Sequence, residues 1–377
     1  MSNKINQLVS ANNKFAFQLF SEIHKYQSNE NIFISPSSIA IALSMTYNGA
    51  SVKTQEAMAK TLNFQGMSLE EINQANQELG ILLDSLNSDI KLNIANSIWT
   101  KIGVPFEQKF LRINQEVYQS QVREIDFDNP QSPEIINNWI KDNTKGKIDK
   151  IIDTLDRDSV MVLLNAIYFQ GNWQQEFDNF STLDRPFYLS NGIEKQHPTM
   201  LKLSQYSYYE NQTFQAISLP YGEGHVSMYV FLPKEEIGLE KFHQTLNEEN
   251  WENWMLKFES QTVTLSLPKF KNEYEVTLNN VLKTLGMEIA FDIKTADFSG
   301  MSSIPPELYI DEMKHKTFVE VNETGTEAAA ATSIAIGAAS AMVTSLNMLV
   351  NRPFFFAIRD NNSGTILFMG EITNPEN

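Results

Sequence analysis

Apolar residues at Ile5, Leu8, Val9, Phe15, Leu19 and Ile23 recur at helical spacing, so the chain opens on an amphipathic helix. Ser35-Pro36 sets a capping hydroxyl before a first-turn proline, the apolar residues run from Ile39 through Met45, and Gly49 marks the stop. Ser68 with Glu71 forms a capping-box pattern. Two more helices are predicted, from Ser132-Pro133 to Gly146 and from about Thr277 to Gly286. Strand patterns dominate later. Ser159 to Phe169 is nearly continuous apolar sequence, as in a strand buried on both faces. Val226 to Leu232 and Thr262 to Leu267 read as strands, and in the latter Val263, Leu265 and Leu267 share one face. Asn191-Gly192 predicts a hairpin. A second hairpin is predicted at the C-terminus, where Phe354 to Ile358 and Thr365 to Ile372 flank Asp360-Asn361-Asn362-Ser363-Gly364. Early helices and late strands, without regular alternation, predict an α+β fold.

One stretch breaks the pattern. Ala328 to Asn351 has no charged residue, in a chain where 20% of residues are charged. A buried helix and a membrane span are both long enough on paper. Thr332, Ser333, Ser340, Thr344, Ser345 and Asn347 dilute its hydrophobicity and weigh against a span.

Composition and charge narrow the functions. With 42% hydrophobic residues and 24 Phe the chain is not disordered. The formal charge is −17 and the longest basic cluster is Lys145-Gly146-Lys147, which argues against a nucleic-acid partner. The absence of cysteine excludes disulfides, thiolate nucleophiles and zinc–cysteine sites. The five histidines show no i, i+4 pair and no HExxH, so a zinc site would need distant ligands assembled by the fold. There is no GxSxG elbow and no phosphate loop, and Gly222 and Gly224 read as a turn. Neither catalytic residues, nor a metal, nor any other cofactor is predicted. The opening residues Met1 to Gln7 lack an apolar run before a small-residue cleavage site. A complete chain would therefore be cytoplasmic and a trimmed mature form extracellular.

Glu323-Thr324-Gly325-Thr326-Glu327-Ala328-Ala329-Ala330-Ala331-Thr332 closely resembles the hinge of inhibitory serpins. The resemblance extends along the chain through Asn31–Ser38, Asn96–Trp99, Leu164–Trp173, Leu267–Phe270, Asn351–Phe354 and Phe368–Pro375, in the family's order and spacing. It implies one domain over residues 1–377, built from three β-sheets and about nine helices, with a hinge and exposed reactive-centre loop at 323–350. It also implies a monomer that baits a serine protease and traps it as a covalent acyl-enzyme. Ser35, Ser38, Asn165 and His315 match the family's shutter, a polar cluster beneath the sheet. Trp173 matches the breach where the loop enters, and Lys269 with Glu323 matches an ion pair there. Counting from Glu323 by the family's usual hinge length puts the reactive bond at Ala339-Ser340, with Met342-Val343 as the alternative. A small or unbranched apolar residue there suits an elastase-like or subtilisin-like target, and a trypsin-like one would need Lys or Arg, which 328–351 lacks. Thr324 stands where the family often has a charge. A non-inhibitory chaperone, carrier or storage protein of the same fold is the competing reading; such members usually have bulky or charged hinge residues.

The residues of the loop suit that role independently. A bait loop must be a flexible substrate first and a sheet strand afterwards, and the small residues of 328–331 meet both demands. Alternate side chains of a strand share a face. Thr326, Ala328, Ala330, Thr332, Ile334 and Ile336 fall on one face, while Glu327 falls on the other with Ala329, Ala331, Ser333 and Ala335. The one charge thus lies on the face that can be solvated. About a dozen new ladder hydrogen bonds at ~1 kcal/mol net each, with about 1.5–3 kcal/mol per buried isoleucine, predict insertion downhill by on the order of 10–20 kcal/mol.

Overall fold

The structure is a computed structural model that describes residues 2–85, 90–302, 308–326 and 345–376. The helices among them are α1 (Asn3–Tyr26), α2 (Pro36–Tyr47), α3 (Val52–Thr61), α4 (Leu69–Asp84), α5 (Gln108–Glu116), α6 (Ser132–Asn143), α7 (Gly238–His243), α8 (Glu248–Met255) and the short α9 (Asn279–Leu282). The strands in the first half are β1 (Ile32–Ile34), β2 (Ile90–Lys101), β3 (Gln121–Ile125), β4 (Met161–Asn172) and β5 (Leu183–Tyr188). Next come β6 (Glu194–Glu210), β7 (Phe214–Tyr221), β8 (Val226–Pro233), β9 (Glu259–Pro268) and β10 (Phe270–Thr277). The last are β11 (Glu312–Val321), β12 (Gly325–Thr326), β13 (Leu346–Leu349), β14 (Phe354–Asp360) and β15 (Ile366–Ile372).

The strands form a six-stranded ladder, β10-β11-β12-β4-β2-β3, and a nine-stranded one, β1-β15-β14-β8-β7-β6-β9-β13 with β5 on β6. Two hydrogen-bonded ladders stand where three sheets were expected. The reason is β6, which pairs with β5 over 194–199, with β9 over 199–208 and with β7 over 207–210, so two of the three sheets run into one ladder.

The predicted elements recur with instructive shifts. Ser35 caps α2, its hydroxyl accepting the Ser38 N–H at 3.3 Å, with Pro36 in the first turn. Gly49 follows the end of α2, but its φ is not positive. A Cβ there would meet Met301 Cγ at 2.0 Å, so close packing explains the glycine. The capping box of Ser68 and Glu71 is formed. The helix predicted to reach Gly146 stops at Asn143, with Gly146 in the left-handed region beyond it. The helix predicted over 277–286 is a single α turn followed by a π turn, broken at Gly286, where φ is 113°. Both predicted hairpins are present.

The apolar run of β4 has a simple cause. Met161, Leu163, Ile167 and Phe169 belong to the main core, while Val162, Leu164, Ala166 and Tyr168 belong to a second core that includes Ile136 and Ile140 of α6. Both faces of this central strand are covered, so no polar alternation survives.

Candidate functional site at the seam between two central strands

Strands β4 and β11 are parallel neighbours over seven residue pairs, from Val162 with Glu312 to Tyr168 with Phe318. Above this stretch they separate, and β12 lies between them. Thr326 is paired antiparallel both to Val321 of β11 and to Gly171 of β4, and Gly325 is opposite Asn172. The space there is tight. A Cβ on Gly325 would meet Gly171 O at 2.1 Å, so only glycine passes. The Thr326 side chain is fully buried, its Oγ1 2.6 Å from the Tyr221 hydroxyl. It therefore lies on the face that the strand parity assigns to burial.

A set of contacts holds the chain leading into β12. The Trp173 indole N–H donates to Asn322 O at 2.9 Å, and its backbone N–H donates to Thr324 O at 2.9 Å. The indole stacks on Tyr221 with ring centres 4.4 Å apart and 15° between planes. Lys269 Nζ lies 3.0 Å from Glu323 Oε2, and the Thr182 hydroxyl donates to Glu323 Oε1 at 2.8 Å. Burial pushes the Glu323 carboxyl upward, but its bonds to Lys269 and Thr182 outweigh this and hold it below the usual carboxylate range. This ion pair is not a surface pair: the Glu323 side chain is only 9% exposed, and that of Lys269 33%.

Lower on the seam, Ser35, Ser38, Asn165 and His315 come together as one buried cluster. His315 and Asn165 are register partners across β11 and β4. The Ser35 N–H donates to His315 Nε2 at 3.0 Å, so that nitrogen must be unprotonated. Nδ1 then carries the proton and donates to Asn165 Oδ1. Asn165 Nδ2 donates in turn to Ser38 Oγ at 2.5 Å and to Asn96 Oδ1. Complete burial pushes the His315 imidazole down to about 3, the Asn165 hydrogen bond acting weakly the other way, in accord with the neutral tautomer. Ser35 Oγ also donates to Leu367 O at 2.7 Å, which ties the cluster to β15 of the other ladder.

Of the residues singled out in the sequence, Glu323, Gly325 and Thr326 meet Trp173 and Lys269 at the top of the seam, and the four polar residues meet below. Glu327, Ala328, Ala329, Ala330, Ala331 and Thr332, and both candidate bonds, Ala339-Ser340 and Met342-Val343, lie outside the described residues. Sequence reasoning missed Tyr221, Thr182 and Asn96 as members of these sites. Asn96 left a faint signal, as an amide beside Ala95 and Ile98 in a strand that pairs along its length with β4. Tyr221 and Thr182 left none, because only packing places them.

Comparison with known proteins agrees with this geometry. The family model described as serpin, serine protease inhibitor, matches residues 10–375. Human leukocyte elastase inhibitor is 35% identical over 381 residues, covering 98% of this chain and all of the relative. Human serpin B12 is 33% identical over 98% of this chain. The thermophilic serpin tengpin in its native state superposes with a TM-score of 0.90 at 34% identity, covering 99% of this chain and 95% of that one. Human thyroxine-binding globulin complexed with thyroxine gives 0.92 at 27% identity, covering 99% of this chain and all of that one. With one family model spanning nearly the whole sequence and relatives aligned from end to end, the chain belongs to the serpin family.

Proposed function

We propose that this protein is a monomeric suicide-substrate inhibitor of serine proteases, acting as one unit over residues 1–377 with its hinge and bait loop within 323–350, of which Leu346–Leu349 are already held as β13 against β9. The observation that carries the reading is β12. Its two residues are hydrogen-bonded between β4 and β11, while the same two strands are paired directly with each other just below. β12 is then the first step of an inserting strand, and the β4–β11 pairing is what the remainder must part.

In this mechanism the protease serine Oγ attacks the Ala339 carbonyl and expels the Ser340 amine, leaving an ester between enzyme and residue 339. Met342-Val343 is the alternative bond. The freed segment then continues from Thr326 down the seam, burying Ala328, Ala330, Thr332, Ile334 and Ile336 on the Thr326 face. The tethered protease is carried along, and its active site is distorted before water completes deacylation; a misplacement of about 1 Å already costs on the order of a hundredfold in rate. Passage requires the His315–Asn165 bond to open, which gives Ser35, Ser38, Asn165 and His315 the part of a shutter. Trp173, Lys269 and Glu323 hold the chain at the point of insertion. The small loop residues and the likeness to leukocyte elastase inhibitor support an elastase-like or subtilisin-like target.

The test is incubation with pancreatic elastase and with subtilisin, followed by a denaturing gel and mass spectrometry of the released peptide. A heat-stable covalent band and a cut after Ala339 or Met342 are expected. Loop clipping with no covalent band would favour the carrier reading, to which the likeness to thyroxine-binding globulin lends some weight. Efficient trapping of trypsin, or a cut at Arg352, would overturn the target and the bond.

A further inference from the structure

Away from the seam, the fold brings together three residues that no spacing in the sequence connects. His24 lies in the last turn of α1, His243 ends α7, and Glu371 is on β15. Glu371 is fully buried, and both histidines are buried around it. His24 Nδ1 is 3.0 Å from Glu371 Oε1, and His243 Nε2 is 2.5 Å from Glu371 Oε2. The two imidazoles lie against each other, ring centres 4.0 Å apart. One ligand atom from each of the three residues lies within 4.8 Å of the others.

We propose that His24, His243 and Glu371 form a binding site for one divalent transition-metal ion of the zinc type. Two imidazole nitrogens and one carboxylate are a donor set that zinc takes at about 2.0–2.2 Å, which in tetrahedral geometry puts neighbouring ligand atoms about 3.3 Å apart. The two histidine–glutamate contacts need to open by less than about 1 Å to reach that separation. The site has an outer partner as well. His24 Nε2, the nitrogen turned away from Glu371, is 3.3 Å from Glu240 Oε2. A ligating histidine characteristically donates its other N–H to a carboxylate, which orients the ring and raises its basicity.

Charge and access favour a cation. Two carboxylates face the His24 ring from opposite sides, and among the described residues no lysine or arginine is bonded to the fully buried one. A divalent ion bound by two neutral imidazoles would neutralise both carboxylates, displacing the protons that otherwise bridge these groups. His24 and Glu240 also line a cleft of about 400 Å³ that opens to solvent, and the Glu240 side chain is 73% exposed at its mouth. Of the three ligands His24 lines this cleft, so the ion's route from solvent passes its ring. Arg352 is on the same wall, but its guanidinium is held by Pro233 O at 3.0 Å and Asn351 Oδ1 at 3.1 Å.

The experiment uses the full chain, stripped with chelator and titrated calorimetrically with Zn²⁺, with Co²⁺ as a spectroscopic probe. One ion per chain is expected, with a rise of a few degrees in melting midpoint at a free Zn²⁺ concentration about 100 times Kd. His24→Gln and His243→Gln should each weaken binding at least tenfold. Glu240→Gln should weaken it less, and His225→Ala, at an exposed histidine beside Glu223, should leave it unchanged. The Co²⁺ complex should give an intense visible band typical of a low-coordinate nitrogen and oxygen site, a readout that stands even if a core variant fails to fold. No stoichiometric uptake, uptake insensitive to both core histidines, loss on His225→Ala, or a weak water-like Co²⁺ spectrum would each overturn the proposal.

Discussion

The upper and lower parts of the β4–β11 seam are built from the same two strands and behave oppositely. Above Tyr168 and Phe318 the strands are parted, and the described residues between them are a glycine with no room for a Cβ and a threonine whose hydroxyl meets Tyr221. Below, they are paired over seven residues and cross-linked by side chains at His315 and Asn165. On the proposed mechanism the upper part is the template from which insertion proceeds, and the paired lower part is the barrier it must pass. An inserted strand would form two ladders but dissolve the seven-residue β4–β11 ladder, which would bring the net hydrogen-bond gain to about half the sequence estimate and the total nearer 10 kcal/mol.

The largest effect comes from letting the change go to completion. Cleavage between residues 339 and 343 by a non-target protease should raise the melting midpoint by about 10 °C or more, given the unfolding entropy of a chain this long. Calorimetry before and after nicking measures it, and an unchanged or lower midpoint would mean that the lower seam does not open.

Blocking the upper part should separate cleavage from trapping. Thr326 is fully buried against Tyr221, so Thr326→Arg places an unpaired charge where insertion begins. The number of inhibitor molecules consumed per protease trapped should rise at least tenfold, while Thr326→Val, which loses only the hydroxyl contact, should stay within a few-fold. Equal stoichiometry for Thr326→Arg and the parent would break the assignment of β12 as the point of insertion.

The lower part can be probed by pH. The His315 folded-state pKa is depressed to about 3 by burial, against about 6.5 in the unfolded chain, so between these values only the unfolded state takes up the proton. Its contribution to stability is therefore complete above pH 6.5 and is lost as pH falls toward 3, to an extent on the order of 4 kcal/mol. His315→Gln can accept from Ser35 N–H and donate to Asn165 without titrating. It should be about 1–2 kcal/mol less stable than the parent at pH 7 and at least as stable at pH 4. Urea midpoints across that range give the two curves; parallel curves would exclude a neutral buried imidazole as the lock.

The smallest expected effect is at the anchor of the upper part. Lys269→Met leaves the buried Glu323 carboxylate with Thr182 but without its cation. The cost should be about 1–2 kcal/mol at pH 7, between the values for exposed and buried pairs. Because the Glu323 folded-state pKa is depressed, that difference is present above pH 4.5 and fades as the carboxyl protonates. A difference that persists undiminished at pH 3 would point to lost packing by the lysine stem.

The sequence by itself determined the local grammar of the molecule. Ser35-Pro36 started a helix, Ser68 with Glu71 capped another, Asn191-Gly192 turned a hairpin, and the apolar run before Phe169 marked a strand covered on both sides, because each signal acts through neighbouring residues. Strand parity likewise placed Thr326 on the buried face. Gly49 shows the limit of that grammar: its place after α2 was legible, but the reason for it, the Met301 side chain some 250 residues away, was not. The pairing of His315 with Asn165, the stacking of Trp173 on Tyr221 and the meeting of His24, His243 and Glu371 were decided only by the tertiary structure. Those contacts join residues separated by tens to hundreds of positions, and no local periodicity encodes which buried polar groups will find each other when the sheets close.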